Sequence, residues 1–163
     1  MISDPASPLA AIELLPLAVA MRHDMWLYPV IEIFHIIGFV ILVGGIVVLD
    51  LRLLGLTKAL PVRLLARHVL PWSLGALLLI VPSGLLMFIA HAGDFVANTA
   101  FIIKMVLLLC AGANAAAFHA GVFRGVADWD IAAEVPGGAK LHALVSLLIW
   151  AGVLACGRLL AYV

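Results

Sequence analysis

An all-α fold, an integral membrane bundle of four antiparallel helices with a short N-terminal interfacial segment, is what the sequence predicts. Three observations carry it. The 163 residues are 66% hydrophobic and only 11% charged, where soluble domains carry about 25% charged residues. Four apolar stretches, at about 29–50, 71–90, 100–119 and 141–163, are each long enough to cross a core of about 30 Å at about 1.5 Å per residue. Lysine and arginine gather in alternate connections between these stretches, as multi-pass chains require.

The first 25 residues open with Ser3, Asp4 and Ser7 and continue in a short apolar run broken by Pro16 and carrying Glu13. Without a basic leader and too short to span, this segment reads as lying on the membrane, with Trp26 and Tyr28 at headgroup level. The first span follows Pro29 and carries no fixed charge between Ile33 and Leu49, although His35 lies within it and Glu32 at its lip. Asp50 and Arg52 close it and most simply pair there. Arg52, Lys58, Arg63 and Arg67 then make a strongly basic connection. The second span contains Pro82, Ser83 and Gly84, where a kink is expected because proline removes a backbone donor.

The next connection, HAGDFVANTA, has no basic residue; the one after the third span holds Arg124 and Lys140. Basic connections stay in the cytoplasm, so both termini are expected on the outer, periplasmic side of a bacterial inner membrane. The chain reads as one domain with no soluble module left over. A formal charge of zero removes the basis for a nucleic-acid partner. Cys110 and Cys156 stand in apolar runs, as packing residues rather than a disulfide framework.

Depth sorts the histidines. His35 and His91, with His23 nearby, fall toward the outer side; His68, His119 and His142 fall toward the inner side. Two stripes pair a histidine with small residues: His35, Gly38, Leu42, Gly45 and Leu49 on the first span, and Gly112, Ala115, Ala116 and His119 on the third. Small residues either let two backbones approach or leave a slot for a flat molecule. Close packing explains the glycines but not the histidines.

Neutral imidazoles from facing helices can hold haem iron in a dry bundle core. The expected arrangement is one haem b between His35 and His91, and another between His119 and His142 or His68. Glu32 is placed to hold the second nitrogen of His35, Lys104 to pair with Glu32 or a propionate, and Arg158 to meet a propionate. Asn114 is a buried amide that needs partners. In the competing readings, His35, Glu32 and His119 are stepping sites for copper or a proton, or there is no cofactor and the polar groups only fix packing. A metal site of the carboxylate-bundle type built on the Glu32 and His35 pair lacks the further carboxylates it needs. No nucleophile stands with a base and no glycine-rich phosphate loop is present, which argues against a hydrolase or transferase.

The runs WLYPVIEIFHIIGFVILVGG, DLRLLG, FIIKMVLLLCAGANAAAFH and SLLIWAGVLACGRLLAY resemble a bacterial inner-membrane four-helix family of unknown function, from Trp26 to Tyr162. In layout the chain is loosely similar to CopD-like copper-resistance proteins and to small membrane b-type cytochromes. The resemblance directs attention to Glu32, His35, Asp50, Arg52, Lys104, Asn114, His119, Trp150, Arg158 and Tyr162, and leaves His68, His91 and His142 outside its pattern. The leading expectation from the histidines is an electron-transfer component whose partners are the lipid bilayer and a redox protein or quinone, with a homo-oligomer as a further candidate assembly.

Overall fold

The computed structural model describes residues 8–131, 134–160 and 162. They form α1 (Pro8–Glu13), α2 (Pro16–His23), α3 (Leu27–Leu53), α4 (Val62–Ala90), α5 (Ala92–Ala97), α6 (Thr99–Ala120), a 3-10 turn (Val122–Asp128) and α7 (Gly137–Leu159). The four long helices α3, α4, α6 and α7 are the chain's membrane-spanning candidates, with mean hydropathies of 2.5, 2.2, 2.0 and 1.8 over their most apolar windows. They are apolar nearly all round, the pattern of helices solvated by lipid.

The second helix starts at Val62 rather than near residue 71, and runs through both Pro71 and Pro82. Each proline removes a single backbone donor. In the turn that Pro82 loosens, the Ser83 hydroxyl is shared between the carbonyls of Leu79 and Ile80. The last helix likewise starts earlier than residue 141, at Gly137, and ends at Leu159; residues 161 and 163 of the expected span lie outside the described residues.

Going around the bundle, the order is α4, α3, α7, α6. Helix α3 packs along α4 and also on α7, and α6 packs along α7, whereas the backbones of α4 and α6 stand apart, joined through the side chains of Phe88 and Phe101. The bundle is therefore open along one side. Glycines set the closest contact. A methyl at Gly38 would stand 2.8 Å from Ile80 Cγ1 and 3.1 Å from Leu79 Cβ, and one at Gly45 2.9 Å from Ser73 Oγ. The glycines of the α3 stripe thus bring two backbones together.

Two core clusters result. One, in the middle of the bundle, gathers Leu42, Val43, Ala76, Ala111, Trp150 and Val153. The other, including Leu53, Val62, Phe118, Trp129 and Ala139, lies at the loop end, where the α3–α4 and α6–α7 connections meet. Arg52 ties that end together. It is 2% exposed and donates from Nε to the Leu60 carbonyl (2.6 Å), and from Nη2 to those of Lys58 (3.1 Å) and Asp130 (3.2 Å). Asp130 in turn caps α4: its backbone carbonyl accepts from Val62 N (3.2 Å) and its Oδ1 from Arg63 N (2.8 Å), satisfying donors that the preceding Pro61 cannot. The expected Asp50–Arg52 pair is replaced by these carbonyls.

At the opposite, terminal end, α1 and α2 fold onto the bundle. Ala18 and Met21 are buried, and α2 packs on α4 and α3. Arg22 donates to the carbonyls of Ala90 (2.8 Å) and Glu13 (2.6 Å), and the Glu13 carboxylate accepts from Gly93 N (2.7 Å). Carbonyls and amides left over at the ends of α4 and α5 are thereby satisfied. The first seven residues of the expected interfacial segment, with Ser3, Asp4 and Ser7, lie outside the described residues. Trp26 is exposed at this end.

Candidate functional site: a cleft open to the bilayer

Because α4 and α6 stand apart, a cavity of about 1070 Å³ runs between them, with α3 and α7 as its back wall. It reaches from His35 and Lys104 near the terminal end to Asp50, His119 and His142 near the loop end. At the terminal end Phe88, Phe95 and Phe101 stack together, with centroids 5.1–6.3 Å apart, and bridge α4, α5 and α6. At the loop end the 3-10 turn packs on α4, α6 and α7. Small residues of the α6 stripe, Gly112, Ala115 and Ala116, line the cleft, and a methyl at Gly112 would meet nothing within 4 Å. The two stripes that look alike in sequence thus do opposite things: that of α3 closes a helix pair and that of α6 leaves a slot.

Three histidines line this cleft, and in all three Nδ1 is engaged. His35 Nδ1 is 2.9 Å from Ser83 Oγ; since the hydroxyl proton goes to the carbonyls of α4, the imidazole must donate. Gly84 makes the approach possible, because a methyl there would come within 3.2 Å of His35 Cε1. His119 Nδ1 donates to the Ala115 carbonyl at 2.9 Å, and its Nε2 is buried without a partner. His142 Nδ1 donates to Asn114 Oδ1 at 2.7 Å, while Asn114 Nδ2 donates to the His142 carbonyl at 3.0 Å. In each neutral ring the oxygen partner fixes the tautomer and leaves Nε2 as the lone-pair nitrogen. Phe118 lies between the last two, 5.2 Å from His119 and 5.8 Å from His142.

The other predicted residues fall elsewhere. His91 packs edge-on against Tyr28 at 5.7 Å and is not part of the cleft lining, so it is not brought to His35. His68 is exposed and bonded to the Leu64 carbonyl at 2.9 Å, one turn back on its own helix. His23 is exposed. Glu32 is exposed, and among the described residues no ion pair joins it to Lys104 or His35; Ser83 takes the place beside His35 expected for Glu32. Lys104 instead crosses the cleft mouth, its Nζ 6.0 Å from the centre of the Phe39 ring, which itself stacks on His35 at 6.1 Å. Arg158 is exposed and turned to Tyr162, with its guanidinium 4.7 Å from that ring.

Sequence reasoning undervalued Asp50, Ser73 and Met87, all of which line the cleft. Asp50 is 6% exposed; Ser146 of α7 is the hydroxyl that approaches it. Its signal was available, since a carboxylate inside an apolar helix is costly, but the neighbouring Arg52 offered too easy a partner. Among the described residues no three histidine, cysteine or carboxylate side chains converge as a metal-ion site.

A family model matches residues 27–163. No curated protein and no solved structure matches the chain, and nothing in these comparisons carries the looser likeness to CopD-like proteins or cytochromes. The match begins after α1 and α2, and every residue of the cleft lies within the matched part. The chain belongs to DUF6644, a family of unknown function.

Proposed function

We propose that the protein is a membrane-embedded haem protein, a b-type cytochrome-like subunit that carries electrons within the bilayer. The observation that supports it is His35: an imidazole in an apolar cleft whose Nδ1–H is held by Ser83, which leaves the lone pair of the neutral ring on Nε2. That is the state an axial ligand needs. A macrocycle needs one or two such ligands and a large dry slot, whereas a bare copper ion needs several converging donors, which the described residues do not supply. Lys104 lines the same half of the cleft and suits a propionate. Met87, four residues after Ser83 and so on the same face of α4, is a second candidate axial donor.

This reading holds one haem, in the terminal half. His119 and His142 have the same tautomer, but they share the loop half with Asp50, an anion ill suited to a neighbour bearing two carboxylates. Bound haem supplies one-electron chemistry; the chain supplies ligation, a dry site and a cation for the propionates. The basic connections at the loop end support a cytoplasmic position for that end and a periplasmic one for the termini.

The test is an absorption spectrum of the purified protein, oxidised and dithionite-reduced, after expression with ample haem. A Soret band that is lost in His35→Ala and altered in Met87→Leu supports the assignment. Absence of the band, or indifference to His35→Ala, overturns it.

A further inference from the structure

Haem at His35 leaves the other half of the cleft unexplained. Asp50 lies fifteen residues farther along α3, about 22 Å away at about 1.5 Å per residue. Its Oδ2 has no partner; neither has Oγ of Ser73, a residue 7% exposed, nor Nε2 of His119. All three residues line the one cleft. Among the described residues the remaining buried side-chain atom without a partner is Arg52 Nη1, in the guanidinium that is engaged with loop carbonyls. The cleft lining holds no lysine or arginine beside Asp50: Lys104 is at the far end, beside Phe39.

An uncompensated carboxylate out of water costs several kcal/mol, and a positively charged donor is what relieves it. The other two atoms restrict the donor further. His119 Nε2 can only accept, because the proton is on Nδ1, and Ser73 Oγ can accept as well as donate. Acceptors left without donors in an apolar cleft suit an ammonium group, which presents three donors. The rest of such a ligand must be apolar to suit the walls. It can enter sideways from the bilayer on the loop side of the Phe88–Phe101 contact, where the backbones of α4 and α6 stand apart.

We infer that the loop half of the cleft binds a lipid-soluble primary amine, its ammonium on Asp50 with Ser73 and His119 as further acceptors. This subsite uses none of the residues assigned to haem.

Radiolabelled dodecylamine is the probe, with the protein as purified placed in phosphatidylcholine nanodiscs. Saturable binding is expected, weakened about tenfold or more by Asp50→Asn, the scale of removing one partner from a buried charge pair. Dodecanol and dodecanoate should not compete. A second measurement needs no variant: the amine should protect Asp50 from modification by dicyclohexylcarbodiimide, located by mass spectrometry. Equal binding to Asp50→Asn, equal competition by dodecanol, or modification of Asp50 undiminished by the amine overturns the inference. A missing Soret band would overturn the haem reading and leave this one standing; a normal Soret band in Asp50→Asn with unchanged amine binding would do the reverse.

Discussion

Alanine placed at Gly38 and at Gly112 separates a packing stripe from a slot, because one substitution is made in two environments. In both, the gain in helix propensity is about 1 kcal/mol. At Gly112 the new methyl meets nothing within 4 Å, so the gain stands alone. At Gly38 it meets Ile80 Cγ1 at 2.8 Å, Leu79 Cβ at 3.1 Å and the Ala76 carbonyl at 3.2 Å. The last two are fixed to the α4 backbone, so the helices must part, at an overpacking cost of about 1–3 kcal/mol. The propensity terms cancel in the comparison, and Gly38→Ala should be the less stable by that same overpacking cost. For a chain of this length, a midpoint shifts by about 2–4 °C per kcal/mol. Thermal unfolding in one detergent, followed by circular dichroism, should place Gly38→Ala roughly 2–12 °C below Gly112→Ala. If Gly38→Ala melts with or above Gly112→Ala, the close α3–α4 contact and the open face of α6 are wrong.

Removing Arg52 by alanine strips three carbonyls of a charged donor; at about 1.5–3 kcal/mol for a bond to a charged group, the same melt should show the largest loss among these variants. Asp130→Ala, which uncaps α4 without touching the cleft, should cost about 1 kcal/mol and leave any Soret band unchanged. Asn114→Ala orphans the His142 Nδ1–H and should cost about 1–3 kcal/mol, with a downfield imidazole resonance in the protein lost or moved by NMR. Ser83→Ala removes the acceptor that orients His35 and should shift the Soret maximum or reduction potential without abolishing the band. A single cysteine at Thr57, in a chain freed of Cys110 and Cys156, should react with an impermeant maleimide in inverted vesicles and not in intact cells.

The spans were legible because length and hydropathy decide them: a run such as that between Ile33 and Leu49 has little else to become. Their starts were less so. Pro71 read as a boundary, yet one missing donor at that position is tolerated within a helix that neighbours hold. The site was half visible. His35, His119, His142, Asn114 and Lys104 do line the cleft, since ionisable and amide groups inside apolar helices must find one another or a cavity. Which imidazoles meet was not readable. His91 is at the same depth as His35 but turned to Tyr28, and depth along a helix says nothing of rotation about it. The Asp50–Arg52 pairing failed for a like reason. Two residues apart on a helix, side chains diverge, so Arg52 reaches the loop carbonyls while Asp50 faces the cleft.

The separation of α4 from α6 has a consequence for what counts as the inside of this protein. Three phenyl rings at one end and a 3-10 turn at the other hold the gap, and along the rest of its length the wall is supplied by whatever lipid or ligand stands there. The interior is then continuous with the medium that surrounds the bundle.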